Sequence, residues 1–107
     1  MLDLALVMPV YNEEGCITET LHEWMQTLDG LSIRYRIIAL NDGSTDSTSE
    51  LLDSFPSSPQ VEVVHHVNCG HGPTVLAGYR RAVALAEWVF QCDSDREMPA
   101  SPFNALW

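Results

Sequence analysis

Two short acidic motifs contain the residues of this chain that are best suited to chemistry. Residues 41–46 (Asn-Asp-Gly-Ser-Thr-Asp) and residues 92–95 (Cys-Asp-Ser-Asp) both begin where an apolar run stops. Asp93 and Asp95 lie two residues apart with Glu97 close behind, and a bound cation would relieve their mutual repulsion. Hard oxygen ligands select Mg²⁺ or Mn²⁺, and such a cation can hold a diphosphate. The sequence therefore predicts a divalent-metal and diphosphate site at Asp93 and Asp95.

The aspartates of segment 41–46 also have a purely structural interpretation. Asx residues form turns and cap helices without any ligand. For Asp46 this structural role is favoured. For Asp42 the two interpretations are balanced, because this residue lies where a predicted strand meets the crevice at the carboxyl end of a sheet.

Apolar runs of strand length alternate with helical patterns along the chain. The predicted strands cover residues 4–9, 35–40, 61–67 and 88–92. Their continuous apolar character indicates strands that are buried on both faces, as in parallel sheets. The resulting β-α-β-α-β-α-β order predicts an α/β fold, a Rossmann-like open parallel sheet with right-handed crossovers.

The predicted helices have recognisable ends. Asn12 is expected to be the N-cap of the first helix, and Gly30 is expected to close it. Ser47 and Glu50 have the spacing of a capping box for a short second helix. Pro73 fits the first turn of the third helix. The apolar residues expected on the sheet-facing sides of the first and third helices are Ile17, Leu21, Trp24 and Leu28, and Val75, Leu76, Tyr79, Ala82, Val83 and Ala86.

Composition excludes several classes of function. The 107 residues carry a net charge of −10, and all five basic residues are arginines. The absence of lysine excludes a Walker A phosphate loop, and the acidic balance argues against nucleic acid as a partner. The three cysteines form no CxxC pair, which fits a reducing compartment. With no long apolar run and no basic leader, the prediction is a cytoplasmic protein.

Two weaker patterns are better explained by structure than by ligands. Residues 70–75 (Gly-His-Gly-Pro-Thr-Val) partly match a dinucleotide fingerprint, but they follow the third strand and lack the third glycine. A glycine-rich turn into a helix is favoured, and contact with a ligand stays open because glycine allows close approach. His65 and His66 point to opposite faces of a strand, so they cannot ligate one ion together. Packing or surface roles are favoured for them and for His71.

Taken in order, four segments resemble family 2 glycosyltransferases, which have the GT-A-type fold. The matching segments are residues 7–14, 41–46, 68–82 and 92–95. The Gly-His-Gly-Pro-Thr and Asp-Ser-Asp stretches are similar to the branch that includes polyprenyl-phosphate sugar transferases. The resemblance covers nearly the whole chain but only the donor-binding half of such an enzyme. It implies that residues 1–107 form the nucleotide-sugar-binding part, ending before the acceptor and catalytic-base half.

The resemblance implies a nucleoside pocket on one side of the site. Pro9, Tyr11 and Glu13 would line it, with Tyr11 against the base. Asp42 would contact the base, often uracil, through a base N–H. The turn at Gly70 would lie beside the donor, which would be a UDP- or GDP-sugar.

The resemblance also implies the metal chemistry. Asp95 would be the main ligand of Mg²⁺ or Mn²⁺, and Asp93 would lie near both the metal and the ribose. The expected reaction is an inverting, hexosyltransferase-type transfer to a hydroxyl or phosphate acceptor. The catalytic residue is unknown, because the base is expected beyond Trp107, and Glu97 is a candidate only by proximity.

Other interpretations remain open at this stage. The chain departs from many relatives at Asn41, where they have Asp. A rival hypothesis is a catalytically incompetent remnant that forms homo-oligomers through an open sheet edge and an apolar C-terminal end (Phe103, Leu106, Trp107). A receiver-like or dinucleotide-binding domain is disfavoured because it leaves segment 41–46 unexplained. The resemblance adds a peripheral position at the inner face of a membrane as an alternative location.

Overall fold

The computed structural model describes residues 1–56, 58–95 and 99–107, and these residues form four parallel strands and four helices. The elements are β1 (Leu2–Val10), α1 (Ile17–Asp29), β2 (Tyr35–Asp42), α2 (Thr48–Ser54), β3 (Val61–His66), α3 (His71–Val83), β4 (Ala86–Gln91) and α4 (Phe103–Leu106). The predicted α/β fold class is confirmed, and the short helix α4 follows the predicted series. No helix in the described ranges has the length and apolarity needed to cross a bilayer.

The sheet has the strand order β3-β2-β1-β4, with every neighbouring pair parallel. β1 and β2 are central and buried along most of their length, which explains their continuous apolar runs. The chain moves outward from β1 to β3 and then returns to place β4 on the other side of β1. This reversal makes a switch point beside β1, the position where ligands bind in open α/β sheets.

The larger core lies between the sheet and helix α1. The predicted stripe of Ile17, Leu21, Trp24 and Leu28 is buried there, as expected. Phe103 is also buried in this core, with its ring centroid 5.5 Å from that of Trp24. The expectation that Phe103 would be exposed is therefore wrong, because α4 folds back onto the core. Leu106 and Trp107 are exposed, as expected.

Helix α3 packs on the opposite face of the sheet through small side chains. The buried residues of this helix are Thr74, Gly78 and Ala82. A Cβ atom at Gly78 would lie 2.3 Å from Cγ1 of Val7, so only glycine allows the helix to lie this close to β1. The apolar residues that were predicted to be buried but are exposed are Leu76, Tyr79 and Val83. Ala86, also assigned to this helix, instead opens β4.

The predicted start of α1 is also wrong. The helix begins after Cys16, and Asn12 lies four residues earlier in a left-handed conformation with φ of 52°. Asn12 adopts this conformation because its side chain bonds another loop, as described below. Gly30 is the C-cap, as predicted, although its φ of −68° is not left-handed.

Helix α2 begins after Ser47, but the predicted capping box with Glu50 does not form, since Ser47 makes no side-chain capping bond. Asp46 takes this role: its Oδ1 accepts the Thr48 N–H at 2.9 Å. The structural role favoured for Asp46 is therefore confirmed by its contacts.

Candidate functional site

A cleft of about 360 Å³ opens at the carboxyl ends of the strands, beside β1. Its lining residues come from the ends of β1, β2 and β4 and from the start of α3. They are Pro9, Val10, Tyr11, Glu13, Asp42, Asn68, Gly70, His71, Thr74, Asp93, Ser94 and Asp95. Every residue that the sequence assigned to nucleotide or metal binding therefore lies on this one cleft.

Asp42 lies at the end of β2 in a group that we call the Asp42 cradle (Asp42 with residues 68–70). Its Oδ1 accepts the Cys69 N–H at 2.7 Å, and its Oδ2 accepts the Gly70 N–H at 3.1 Å. The Asn68 side chain donates to the Asp42 carbonyl oxygen at 2.9 Å. Asp42 is only 5% exposed, so its carboxylate is held in one orientation.

The electrostatics of the cradle keep Asp42 ionised. Burial on its own would raise the pKa of this carboxyl group. The hydrogen bonds from Cys69, Thr74 and Gly70 outweigh burial, and the pKa falls below its ordinary value. Asp42 is thus a fixed anionic acceptor at the wall of the cleft.

The second acidic feature is the acidic loop (residues 92–95), which follows β4. Asp93 and Asp95 are exposed at the cleft, whereas Ser94 between them is buried. The Ser94 carbonyl oxygen lies 3.3 Å from the Cys16 thiol and accepts the Thr20 hydroxyl at 3.5 Å. Helix α1 therefore holds the middle of the loop and leaves both carboxylates on the cleft side.

Burial and the negative charge of the acidic loop raise the pKa of the neighbouring Cys92, and two other side chains approach Asp93. Burial, together with the charges of Asp93 and Asp95, raises the pKa of the Cys92 thiol to about 12. The amide of Gln91 donates to Asp93 Oδ1 at 3.0 Å, and His71 Nε2 lies 3.9 Å from the same oxygen. Two exposed carboxylates on an anchored loop are a donor set that fits a hard divalent cation.

The described lining residues of the cleft include no arginine or lysine. Three of the arginines form ion pairs elsewhere: Arg34 pairs with Asp3, and Arg36 and Arg81 pair with Glu62. Arg96 and Glu97 lie outside the described residues. Among the described lining residues, no arginine or lysine balances the negative charge of Asp93 and Asp95.

The loop after β1 is joined to the loop after β2. Asn12 Oδ1 accepts the Thr45 N–H at 2.8 Å, and the Asn12 N–H donates to Ser44 Oγ at 3.0 Å. The Glu13 N–H donates to Thr48 Oγ1 at 2.9 Å. These bonds hold the backbone that follows Tyr11, a residue 46% exposed at the rim of the cleft. Polar residues of both predicted turns thus position the cleft wall.

Asn41 precedes Asp42 in β2 and supports the site without lining the cleft. Its amide donates to Ser49 Oγ at 2.7 Å and to His65 Nδ1 at 2.9 Å. Because the amide nitrogen can only donate, His65 carries its proton on Nε2, which donates to Asp53 at 2.7 Å. Asn41 is therefore a structural donor, a role that an aspartate could not fill.

Sequence reasoning missed several lining residues, among them Asn68, Thr74 and Ser94. Asn68 had a signal, since an Asx residue just after a predicted strand favours a turn. Thr74 and Ser94 had none, because their positions depend on the packing of α3 and α1.

Comparison with a family model and comparison with individual relatives both indicate a glycosyltransferase. The family model described as "Glycosyl transferase family 2" matches residues 5–105. An uncharacterized glycosyltransferase from Synechocystis sp. is 34% identical, with 98% of this chain and 33% of that protein covered. An undecaprenyl-phosphate 4-deoxy-4-formamido-L-arabinose transferase from Pseudomonas fluorescens is 31% identical over 96% of this chain and 31% of its own length. The chain thus spans about a third of the curated relatives it matches.

Among solved structures, the fold is similar to that of S. aureus TarS residues 1–349, which was crystallised with UDP-GlcNAc. The TM-score is 0.72 at 21% identity, and the match covers 97% of this chain and 30% of that one. This similarity confirms the predicted GT-A-type fold.

Proposed function

This chain belongs to glycosyltransferase family 2, and from that premise we propose that its cleft binds the nucleotide diphosphate of a UDP- or GDP-linked hexose. The observation that carries the proposal is the charge distribution of the cleft. Its described lining includes four acidic residues and no arginine or lysine. A diphosphate can bind such a surface only together with a divalent cation.

The nucleoside half of the donor is assigned to the β1 and β2 side of the cleft. Tyr11 offers an exposed ring against which a base can stack, and Pro9 and Glu13 flank it. Asp42 offers a fixed carboxylate to a base N–H. Its oxygens already accept hydrogen bonds from Cys69, Gly70 and, at 3.5 Å, the Asn68 side chain, so a base N–H would join or replace one of these donors.

The diphosphate half is assigned to the acidic loop. Asp95 and Asp93 would hold Mg²⁺ or Mn²⁺, which acts as a Lewis acid on the departing diphosphate when bound. The first turn of α3 begins at the Gly70 turn beside the cleft and carries no acidic residue. Its positive helix end therefore adds a favourable field for phosphate.

The transfer step is proposed to invert the anomeric carbon, with a hydroxyl or phosphate acceptor. The names of the undecaprenyl-phosphate relatives support a lipid-phosphate acceptor, and with it a position at the inner face of a membrane. We place residues 1–107 in the donor-binding role and assign no catalytic base among them. In this role the chain binds the donor and orients the diphosphate.

Calorimetric titration of UDP and GDP, with and without Mn²⁺, tests this proposal. We expect binding that requires Mn²⁺ and that weakens at least about tenfold in Asp95→Asn, because one hard ligand is lost. Glu87→Gln removes an exposed carboxylate on β4 that does not line the cleft, and it should leave affinity unchanged. Equal UDP binding without a divalent cation, or equal loss in the Glu87 variant, would overturn the proposal.

Self-association is a second candidate, favoured by an apolar groove at the free edge of β4. The groove has a volume of about 130 Å³ and is lined by Leu4, Trp88, Val89, Phe90, Phe103, Leu106 and Trp107. Trp88 is 65% exposed on this edge strand. Sedimentation velocity should show concentration-dependent dimers that Trp88→Glu abolishes. Val67→Glu, on a residue 87% exposed just after the opposite edge strand, should leave them intact.

A further inference from the structure

A mixed cluster of metal-ligating side chains lies beside the cleft and shares only Asp42 with the donor site described above. Asp42, His66 and Cys69 each offer one ligand atom, and these three atoms all lie within 4.8 Å of one another. The cluster is separate from the acidic loop, which follows β4 on the other side of β1. We propose that these three residues form a second metal site, selective for Zn²⁺, and that zinc bound there excludes the nucleotide.

The distances fit zinc. His66 Nδ1 lies 3.6 Å from Cys69 Sγ. Tetrahedral zinc with ordinary Zn–S and Zn–N bonds separates a sulfur and a nitrogen ligand by about 3.6 Å. The thiolate and imidazole are softer ligands than the oxygens of the acidic loop, so this set favours Zn²⁺ over Mg²⁺ or Mn²⁺.

The three ligands are held by the fold. Strand register places Asp42 beside His66 at the ends of β2 and β3, and Cys69 follows three residues later. The Cys69 N–H bonds Asp42 Oδ1, which keeps the loop against the carboxylate. His66 Nδ1 faces Cys69, whereas Nε2 lies 3.5 Å from the Thr74 hydroxyl and 3.9 Å from Asp42 Oδ1. A hydrogen-bonded second ring nitrogen is the usual support of a metal-bound histidine.

The cluster can be reached from solvent, and its side chains are able to bind a metal ion. Cys69 is exposed and forms no disulfide, and His66 is half-buried. Zinc would displace the thiol proton of Cys69 to solvent and would bind an Asp42 oxygen in place of one of its present hydrogen-bond donors. Three protein ligands leave a fourth position for water, as in zinc sites that are open to the cleft.

Competition with the nucleotide follows from Asp42, which belongs to both sites; this part of the inference rests on the proposed function. A carboxylate bound to zinc no longer offers its lone pair to a base N–H. Occupancy of the cluster would therefore lower donor affinity while the acidic loop stays intact. Loss of Cys69 as thiolate, by oxidation or alkylation, would remove this inhibition.

The experiment is calorimetric titration of Zn²⁺ into the full chain and its variants. We expect one zinc ion to bind in an Asp93→Asn/Asp95→Asn background, which removes the acidic loop as a competing site. Affinity should fall at least about tenfold in Cys69→Ser and in His66→Gln. The matched control His22→Gln removes another, exposed imidazole, and it should bind zinc as the parent does.

Unchanged zinc affinity in Cys69→Ser, or loss of zinc binding in the acidic-loop background, would overturn the site. Circular dichroism of each variant confirms that it is folded, and Co²⁺ provides an independent readout through its thiolate charge-transfer absorption.

UDP titration with Mn²⁺ then tests competition between zinc and the nucleotide. One equivalent of zinc should weaken the binding of UDP to the parent but not to Cys69→Ser. A chain that binds zinc but never UDP would refute the proposed function and leave the metal site standing.

Discussion

The Asp42 cradle and the acidic loop both present carboxylates to one cleft, but the two groups differ in burial and in hydrogen bonding. Asp42 is 5% exposed and accepts backbone N–H bonds on both oxygens. Asp93 and Asp95 are exposed, and helix α1 holds the loop at Ser94 between them. The pKa of Asp42 is lowered, whereas the charges of the acidic loop contribute to the raised pKa of the Cys92 thiol.

This difference separates two uses of a carboxylate. The Asp42 cradle supplies its own donors, so its charge is balanced before any ligand arrives and its geometry is fixed. The acidic loop supplies few donors and leaves negative charge at the cleft, where a cation would balance it. Substitutions in the cradle should therefore change stability, and substitutions in the loop should change metal-dependent binding.

The largest expected effect is Gly43→Ala, next to Asp42. Gly43 has φ of +61°, and an added Cβ would lie 2.5 Å from the backbone nitrogen of Asn68. Since backbone must move to admit the methyl group, we expect the free energy of unfolding to fall by about 3 kcal/mol. Guanidinium denaturation measures it.

The matched control is Gly15→Ala, where an added Cβ would meet nothing within 4 Å. It should change the free energy of unfolding by less than about 0.5 kcal/mol. If both variants were equally stable, the close packing of Gly43 against the cradle would be refuted.

The second prediction compares the two regions directly. Asp42→Asn places an amide NH₂ against a backbone N–H and removes a charged acceptor, so we expect a loss of about 2 kcal/mol in the free energy of unfolding. Asp93→Asn, at an exposed position, should change it by less than about 0.5 kcal/mol. Similar losses in the two variants would contradict the comparison.

The stability contribution of Asp42 should also depend on pH. Its pKa in the folded state is below the ordinary value of 3.8, so on acidification the unfolded chain takes up this proton first. The contribution of Asp42 to stability is therefore complete above pH 3.8 and is lost as the pH falls through the folded-state pKa. Paired denaturation series should show the gap between wild type and Asp42→Asn closing in acid. A gap that stays constant would contradict ionisation as its source.

The smallest effect is expected at the anchor of the acidic loop. Thr20 is buried, and its hydroxyl donates to the Ser94 carbonyl oxygen at 3.5 Å. Thr20→Val should lower the free energy of unfolding by about 1 kcal/mol and speed amide exchange in residues 92–95. Thr27→Val, on the same helix, is the control. Equal exchange in the two variants would show that α1 does not hold the loop.

Much of the fold could be predicted because burial is reflected in the pattern of apolar residues along the sequence. The runs that form β1 and β2 are continuous because these strands are covered on both faces. The stripe on α1 was also predicted correctly, since large apolar residues face the larger core. The buried face of α3 was predicted correctly only at Ala82, because close approach to Val7 selects glycine at position 78 and leaves Leu76, Tyr79 and Val83 exposed. Apolar periodicity cannot detect a face built from small side chains.

The sequence by itself determined that acidic motifs follow the apolar strands and so meet at the carboxyl edge of the sheet. Only the tertiary structure decided which carboxylate is buried among backbone N–H donors and which is exposed. The donors of Asp42 come from Cys69 and Gly70, 27 and 28 residues further along the chain. They reach it because β3 pairs with β2 in a register that sets His66 beside Asp42. That register results from cooperative packing of the whole sheet, which local residue patterns do not encode.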